Sequence, residues 1–198
     1  ELLENAIDSG ATHVKLIVKQ AGKSLVQVID NGCGMSETDA RMCFERHATS
    51  KIIKSEDLES IRTMGFRGEA LASIAAVAQV ELKTRLHDKD LGTRISISES
   101  VFQKQEHIQT PAGTSFSVQN LFFNVPARRK FLKSDPVELK NILEEFEHIA
   151  LAYPEIEMSC FNQDTNVYQL TRGTLKQRIM NIFGKAFADK IVSVEEQT

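Results

Sequence analysis

The stretch HVKLIVKQAGKSLVQVIDNGCG, residues 13–34, decides the fold. It holds two short β-rich runs, His13–Lys19 and Ser24–Asp30, joined by Gln20-Ala21-Gly22-Lys23, and so reads as a strand–turn–strand hairpin. Strand periodicity sets Asp30 on the same side as Val26 and Val28, drawing a carboxylate toward an apolar layer. A carboxylate in that position needs hydrogen-bond donors, and the amino group of an adenine is one. Asn31-Gly32-Cys33-Gly34 follows directly as a flexible loop at the strand's end.

Working outward, residues 1–9 pair Leu3 with Ile7 and Leu2 with Ala6 at i, i+4, and Gly10 stands where a helix stops. Ser36, with Asp39 three residues on, caps a short helix. Residues 45–68 read as a long polar loop with a short helical stretch near Asp57–Ile61. Glu69–Val77 is alanine-rich and helical. Gln79–Arg85, Gly92–Ser98 and Thr114–Leu121 read as strands, with polar connections at 86–91 and 99–113. Asp135 as N-cap, Pro136 at N1 and Glu138 at N3 open an amphipathic helix through Tyr153. Strands near 156–162 and 166–170, a helix near 174–183 and a strand near 190–194 complete the chain. Hairpin-joined strands mixed with helices predict an α+β fold with an open, largely antiparallel sheet and a helical layer on one face, not a doubly wound sheet.

The 198 residues suffice for one substantial domain or for a domain plus part of another. Lys and Arg number 24 against 27 Asp and Glu, a net charge of −3, so DNA contact requires a local patch or a part of the protein outside this stretch. No apolar run approaches the ~20 residues of a membrane span. Three irregularly spaced cysteines argue for a reducing compartment rather than a disulfide framework. A start at Glu1, directly in a helical pattern, predicts a piece of a longer protein.

Several motifs fail on inspection. Gly22-Lys23-Ser24 lacks the first P-loop glycine, because Ile17 stands there, and Gly32 and Gly34 have no third glycine after them. Cys33, Cys43 and His47 fit no common zinc spacing. Four segments remain. Glu1 and Asn5 share one helix face, a carboxylate able to hold and deprotonate water beside an amide oxygen suited to Mg²⁺. Asp30-x-Gly32-x-Gly34 offers an acceptor and backbone that a planar base can approach. Gly65-Phe66-Arg67-Gly68-Glu69 enters a helix with free N–H groups and a cation for an anion. Gly113-Thr114 opens a strand, and upstream Thr49, Ser50 and Lys51 offer hydroxyls and an ammonium to phosphates. Taken singly, each also reads as a solvated helix face, an ordinary turn or a connecting loop.

In this order, the segments resemble the nucleotide site of the GHKL ATPases. The wording ELLENAIDSG (1–10), DNGCGM (30–35), RHATSK (46–51), GFRGEAL (65–71) and NVPARRKFL (124–132) resembles the MutL family of DNA mismatch repair proteins across essentially the whole chain. The resemblance implies ATP held between an antiparallel sheet and a helical layer, closed by a mobile lid, with slow hydrolysis driving dimerisation. It implies Glu1 as general base, Asn5 as Mg²⁺ ligand, and Asp30 as acceptor for the adenine amino group. Gly32, Gly34 and Thr114 would lie around the base. Thr49, Ser50 and Lys51 would form one phosphate loop, and Gly65, Phe66, Arg67 and Gly68 the second. Arg128, Arg129 and Lys130 stand open as structural or DNA-facing residues.

The resemblance further implies a nucleotide-dependent homodimer, a mismatch-recognition partner of the MutS type, and DNA met mostly through other parts. No membrane association is expected, and the location would be cytoplasmic in a bacterium or nuclear in a eukaryote. Residues 1–170 would form the ATPase domain, and 171–198 its end or the start of a second domain supplying a γ-phosphate lysine. The arm preceding the first motif is absent from this stretch, so the fragment is expected to bind nucleotide yet hydrolyse it poorly. Two other readings share the segments: a module whose main work is ATP-gated dimerisation and docking, and another GHKL enzyme such as a topoisomerase subunit or kinase.

Overall fold

The computed structural model describes residues 1–45, 69–188 and 190. Eight strands form one sheet: β1 (His13–Lys19), β2 (Leu25–Asp30), β3 (Gln79–Arg85), β4 (Gly92–Ser98), β5 (Val101–Ile108), β6 (Gly113–Gln119), β7 (Glu157–Asn162) and β8 (Thr165–Leu170). Their order is β5-β4-β3-β6-β2-β1-β7-β8. Every neighbouring pair is antiparallel except β1 with β7. The expected α+β class and antiparallel sheet are what the chain adopts.

The register lines up Cys160, Leu16, Val28, Phe116, Leu82 and Ile95 in one row across six strands. All six are buried. Among the described residues, six helices supply the cover or its approaches: α1 (Leu2–Asp8), α2 (Glu37–Met42), α3 (Ala70–Val77), α4 (Pro126–Phe131), α5 (Asp135–Ala152) and α6 (Leu175–Phe183), with the short α7 (Lys185–Ala188) after them. The α1 and α5 side chains Ala6, Ile7, Phe146 and Ala150 close over β1, β7 and β8. Ala40 of α2, Phe44 just after it and Ala75 of α3 close over β3, β4 and β6. The opposite face carries Lys83, Glu81, Arg94 and Glu106 in a ladder of ion pairs (Lys83–Glu81 2.8 Å, Arg94–Glu106 3.1 Å). One face dry and one wet is the alternation an antiparallel sheet permits.

Several expectations need correction. Residues 99–113 are not a polar connection throughout, because β5 occupies Val101–Ile108. It is an edge strand with no buried residue, so its side chains VFQKQEHI need no apolar alternation. The strand expected to reach Leu121 ends at Gln119, where Asn120 turns to φ 52°. The N-cap of α5 is Ser134, one residue before the expected Asp135, whose carboxylate instead pairs with Lys23 at 2.6 Å. Helix α4 lies within the NVPARRKFL motif and buries no residue, so periodicity could not reveal it. The helical stretch near 57–61 and the strand residues 191–194 lie outside the described residues, and Lys190 is in a turn.

Helix α6 is fixed by Arg178, which is 1% exposed. Its Nη2 donates to the carbonyls of Pro154 (2.9 Å), Ile156 (2.6 Å) and Thr171 (3.3 Å). Among the described residues, no helix is long and apolar enough to cross a membrane.

Candidate functional site

One step along the strands from the apolar row, the same inward face turns polar. Asp30 pairs in register with Thr114, Thr114 with Thr84, and Thr84 with Thr93. Asp30 is 9% exposed, Thr84 1% and Thr93 5%. Adjacent inward-facing positions on four central strands thus carry hydrogen-bonding side chains where apolar ones would pack as well.

The Asp30 carboxylate meets its donors locally. Oδ1 accepts the Gly32 backbone N–H at 2.9 Å and lies 3.3 Å from the Ser9 hydroxyl. Burial pushes the Asp30 pKa above its ordinary 3.8, opposed by the Gly32 amide, the Ser9 hydroxyl and the Thr114 amide. An ionised carboxylate has about four lone-pair sites, more than these donors fill. A ligand bringing another donor to this carboxylate would therefore meet a group with capacity to accept it.

The loop after Asp30 is tightly seated. At Gly32 a Cβ would fall 1.8 Å from the Ser9 hydroxyl oxygen, and at Gly34 (φ +70°) 2.1 Å from the Arg85 carbonyl oxygen. The close approaches that these glycines permit here are thus by the protein's own atoms. Thr84 is the central node: its hydroxyl accepts the Met35 N–H (2.9 Å), donates to the Gly113 carbonyl (3.0 Å) and lies 3.2 Å from the Thr114 hydroxyl. Sequence reasoning missed Thr84, although its parity with Val80 and Leu82 in β3 marks it as inward-facing.

Glu1, Asn5 and Ser9 follow one another at four-residue intervals along α1, making one stripe. Ser9 joins that stripe to Asp30, while Glu1 stands two turns away, about 12 Å along the axis. Asn5 sits between them and is half-buried. Glu1 is exposed, and its terminal ammonium lies 3.6 Å from Glu4. The fold therefore brings Asp30, Gly32, Gly34 and Thr114 together, and sets Asn5 and Glu1 one and two turns along the helix stripe that ends at Ser9 beside Asp30. Thr49, Ser50, Lys51, Gly65, Phe66, Arg67 and Gly68 lie outside the described residues.

The demands of Mg²⁺ are modest: one or two protein oxygens, with waters and substrate phosphates completing its shell. An Asn5 amide oxygen one turn from the Glu1 carboxylate fits that donor set. Among the described residues, no group of three or more His, Cys, Asp or Glu side chains is placed to hold a metal without such help.

Comparison with known proteins agrees with this geometry. A family profile described as histidine kinase-, DNA gyrase B- and HSP90-like ATPase matches residues 1–125. The DNA mismatch repair protein MutL of Bacteroides fragilis is 57% identical over all 198 residues, and that of Parabacteroides distasonis 56%. In both cases the chain spans 32% of the relative's length. Among solved structures, the Aquifex aeolicus MutL ATPase domain complexed with ADP superimposes with a TM-score of 0.73 at 31% identity. That match covers 92% of this chain and 65% of the other.

Proposed function

Because the chain belongs to the histidine kinase-, DNA gyrase B- and HSP90-like ATPase family, we propose that it is the nucleotide-handling part of a MutL-type DNA mismatch repair protein that binds and slowly hydrolyses Mg-ATP. The observation that carries this reading is the buried Asp30 carboxylate in a polar row of the sheet, joined through Ser9 to the α1 stripe that bears Asn5 and Glu1.

Asp30 accepts a hydrogen bond from the adenine amino group, with Gly32, Gly34 and Thr114 shaping the surroundings of the base. The triphosphate would lie toward Asn5, whose amide oxygen would hold Mg²⁺. The ion, when bound, neutralises charge gathering on the phosphates. Glu1 orients the attacking water and takes its proton. Arg67, Lys51 and the backbone N–H groups of Gly65–Gly68, together with Thr49, Ser50 and Phe66, supply the remaining phosphate contacts. Positioning of this kind, with a single carboxylate as base, suits a slow switch. In the whole protein the ATP cycle gates homodimerisation, engagement of a MutS-type partner, and DNA contact mostly outside this stretch, in the bacterial cytoplasm or a nucleus. Residues 171–198 form the end of this domain or the start of a second one.

The test is a Glu1→Gln variant of the intact protein, measured for Mg-ATP affinity by calorimetry and for phosphate release. Binding is expected to persist while turnover falls at least a hundredfold. Wild-type turnover in the variant would remove Glu1 from the mechanism, and absence of ATP binding by the wild type would refute the reading as a whole.

A further inference from the structure

The β3–β4 connection, expected to be only a polar link, is an organised turn. Arg85 donates from Nε to the Thr110 carbonyl (2.6 Å) and from Nη1 to the carbonyls of Leu86 (3.5 Å) and Lys89. One guanidinium thereby ties the turn after β3 to the segment leading into β6. From this turn His87 reaches the loop after Asp30, its Nε2 2.9 Å from the Gly32 carbonyl oxygen. That oxygen can only accept, so Nε2 carries the proton in this contact. The same turn receives Gly34 against the Arg85 carbonyl, and Thr84 beside it receives the Met35 N–H.

Glycine has the widest backbone freedom, so Gly32 needs external contacts to hold one conformation. It has them on both sides: its N–H donates to Asp30 Oδ1, and its carbonyl accepts from His87. We infer that His87, presented by the turn that Arg85 organises, is a positioning residue for adenine recognition, fixing Gly32 and through it the Asp30 carboxylate. This rests on the ATP reading proposed above. The imidazole is otherwise exposed, so removing it leaves no cavity, and its effect falls on the loop rather than on global stability.

The experiment compares wild type, His87→Ala and His87→Gln in the intact protein by ATP calorimetry, steady-state turnover and thermal unfolding. His87→Ala is expected to raise the ATP Kd and KM about three- to tenfold, the worth of one neutral hydrogen bond, with kcat and Tm unchanged. His87→Gln, whose amide N–H can replace the donor, is expected to recover most of the affinity. Wild-type affinity in His87→Ala, or equal loss in both variants, overturns the inference while leaving the ATP reading intact. Failure of the wild type to bind ATP overturns both, and is seen in the wild-type arm alone.

Discussion

Replacing Asp30 with Asn separates what this residue does for stability from what it does for the ligand. In the structure Oδ1 already accepts the Gly32 N–H at 2.9 Å. An Asn keeps that bond by placing its carbonyl oxygen there, which turns its NH₂ group toward the proposed adenine amino group, donor against donor. The lost interaction is a hydrogen bond to a charged acceptor, about 1.5–3 kcal/mol, so ATP affinity is expected to fall roughly ten- to a hundredfold. Stability moves the other way. Burial raises the Asp30 pKa above 3.8, so the folded state penalises the ionised form. That penalty is absent below the unfolded pKa and complete above the folded one, so Asp30→Asn gains stability relative to wild type at neutral pH. The gain shrinks as pH falls toward 3.8. Calorimetry with ATP and urea unfolding at pH 7 and pH 4 measure the two effects. Unchanged affinity in the variant would refute the role given to Asp30, and a stability loss at pH 7 would refute the electrostatic argument.

Two further outcomes follow from the packing and the thiols. Arg178→Met removes the guanidinium donor from three carbonyls, the Ile156 contact being buried, and is expected to cost about 2–4 kcal/mol in urea unfolding; a cost under about 0.5 kcal/mol would show that Arg178 does not anchor α6. Cys33 is exposed, whereas burial pushes the Cys43 and Cys160 thiols up to about 12, so a thiol reagent at pH 8 is expected to label Cys33 first and ATP to slow that labelling. Equal rates at all three would contradict the burial, and a Cys33 rate indifferent to ATP would place the nucleotide elsewhere.

The hairpin over residues 13–30 and the inward side of Asp30 were legible because strand parity depends only on counting residues from a buried neighbour. The stripe on α1 was legible for the same reason at helical spacing. Strand β5 was not, since an edge strand that buries no residue carries no apolar alternation. Helix α4 escaped because Asn124, which donates to the Ala76 carbonyl at 3.0 Å, anchors its approach instead of a buried face. Thr84 was readable from its parity, but what it holds was not: its partners Met35 and Gly113 come from other segments. His87 gave no local signal at all, because its contact with Gly32 spans 55 residues of sequence.

The central claim is that Asp30 and its polar row receive an adenine, and the direct measurement is base selectivity by equilibrium dialysis of Mg-ATP against Mg-GTP. Adenine presents an amino group to the carboxylate, whereas guanine presents a carbonyl oxygen at the corresponding position, acceptor against acceptor. The account predicts that ATP binds at least ~100-fold more tightly than GTP, because a site built around a hydrogen bond rejects a partner that cannot make it. Equal affinity for the two nucleotides would contradict it.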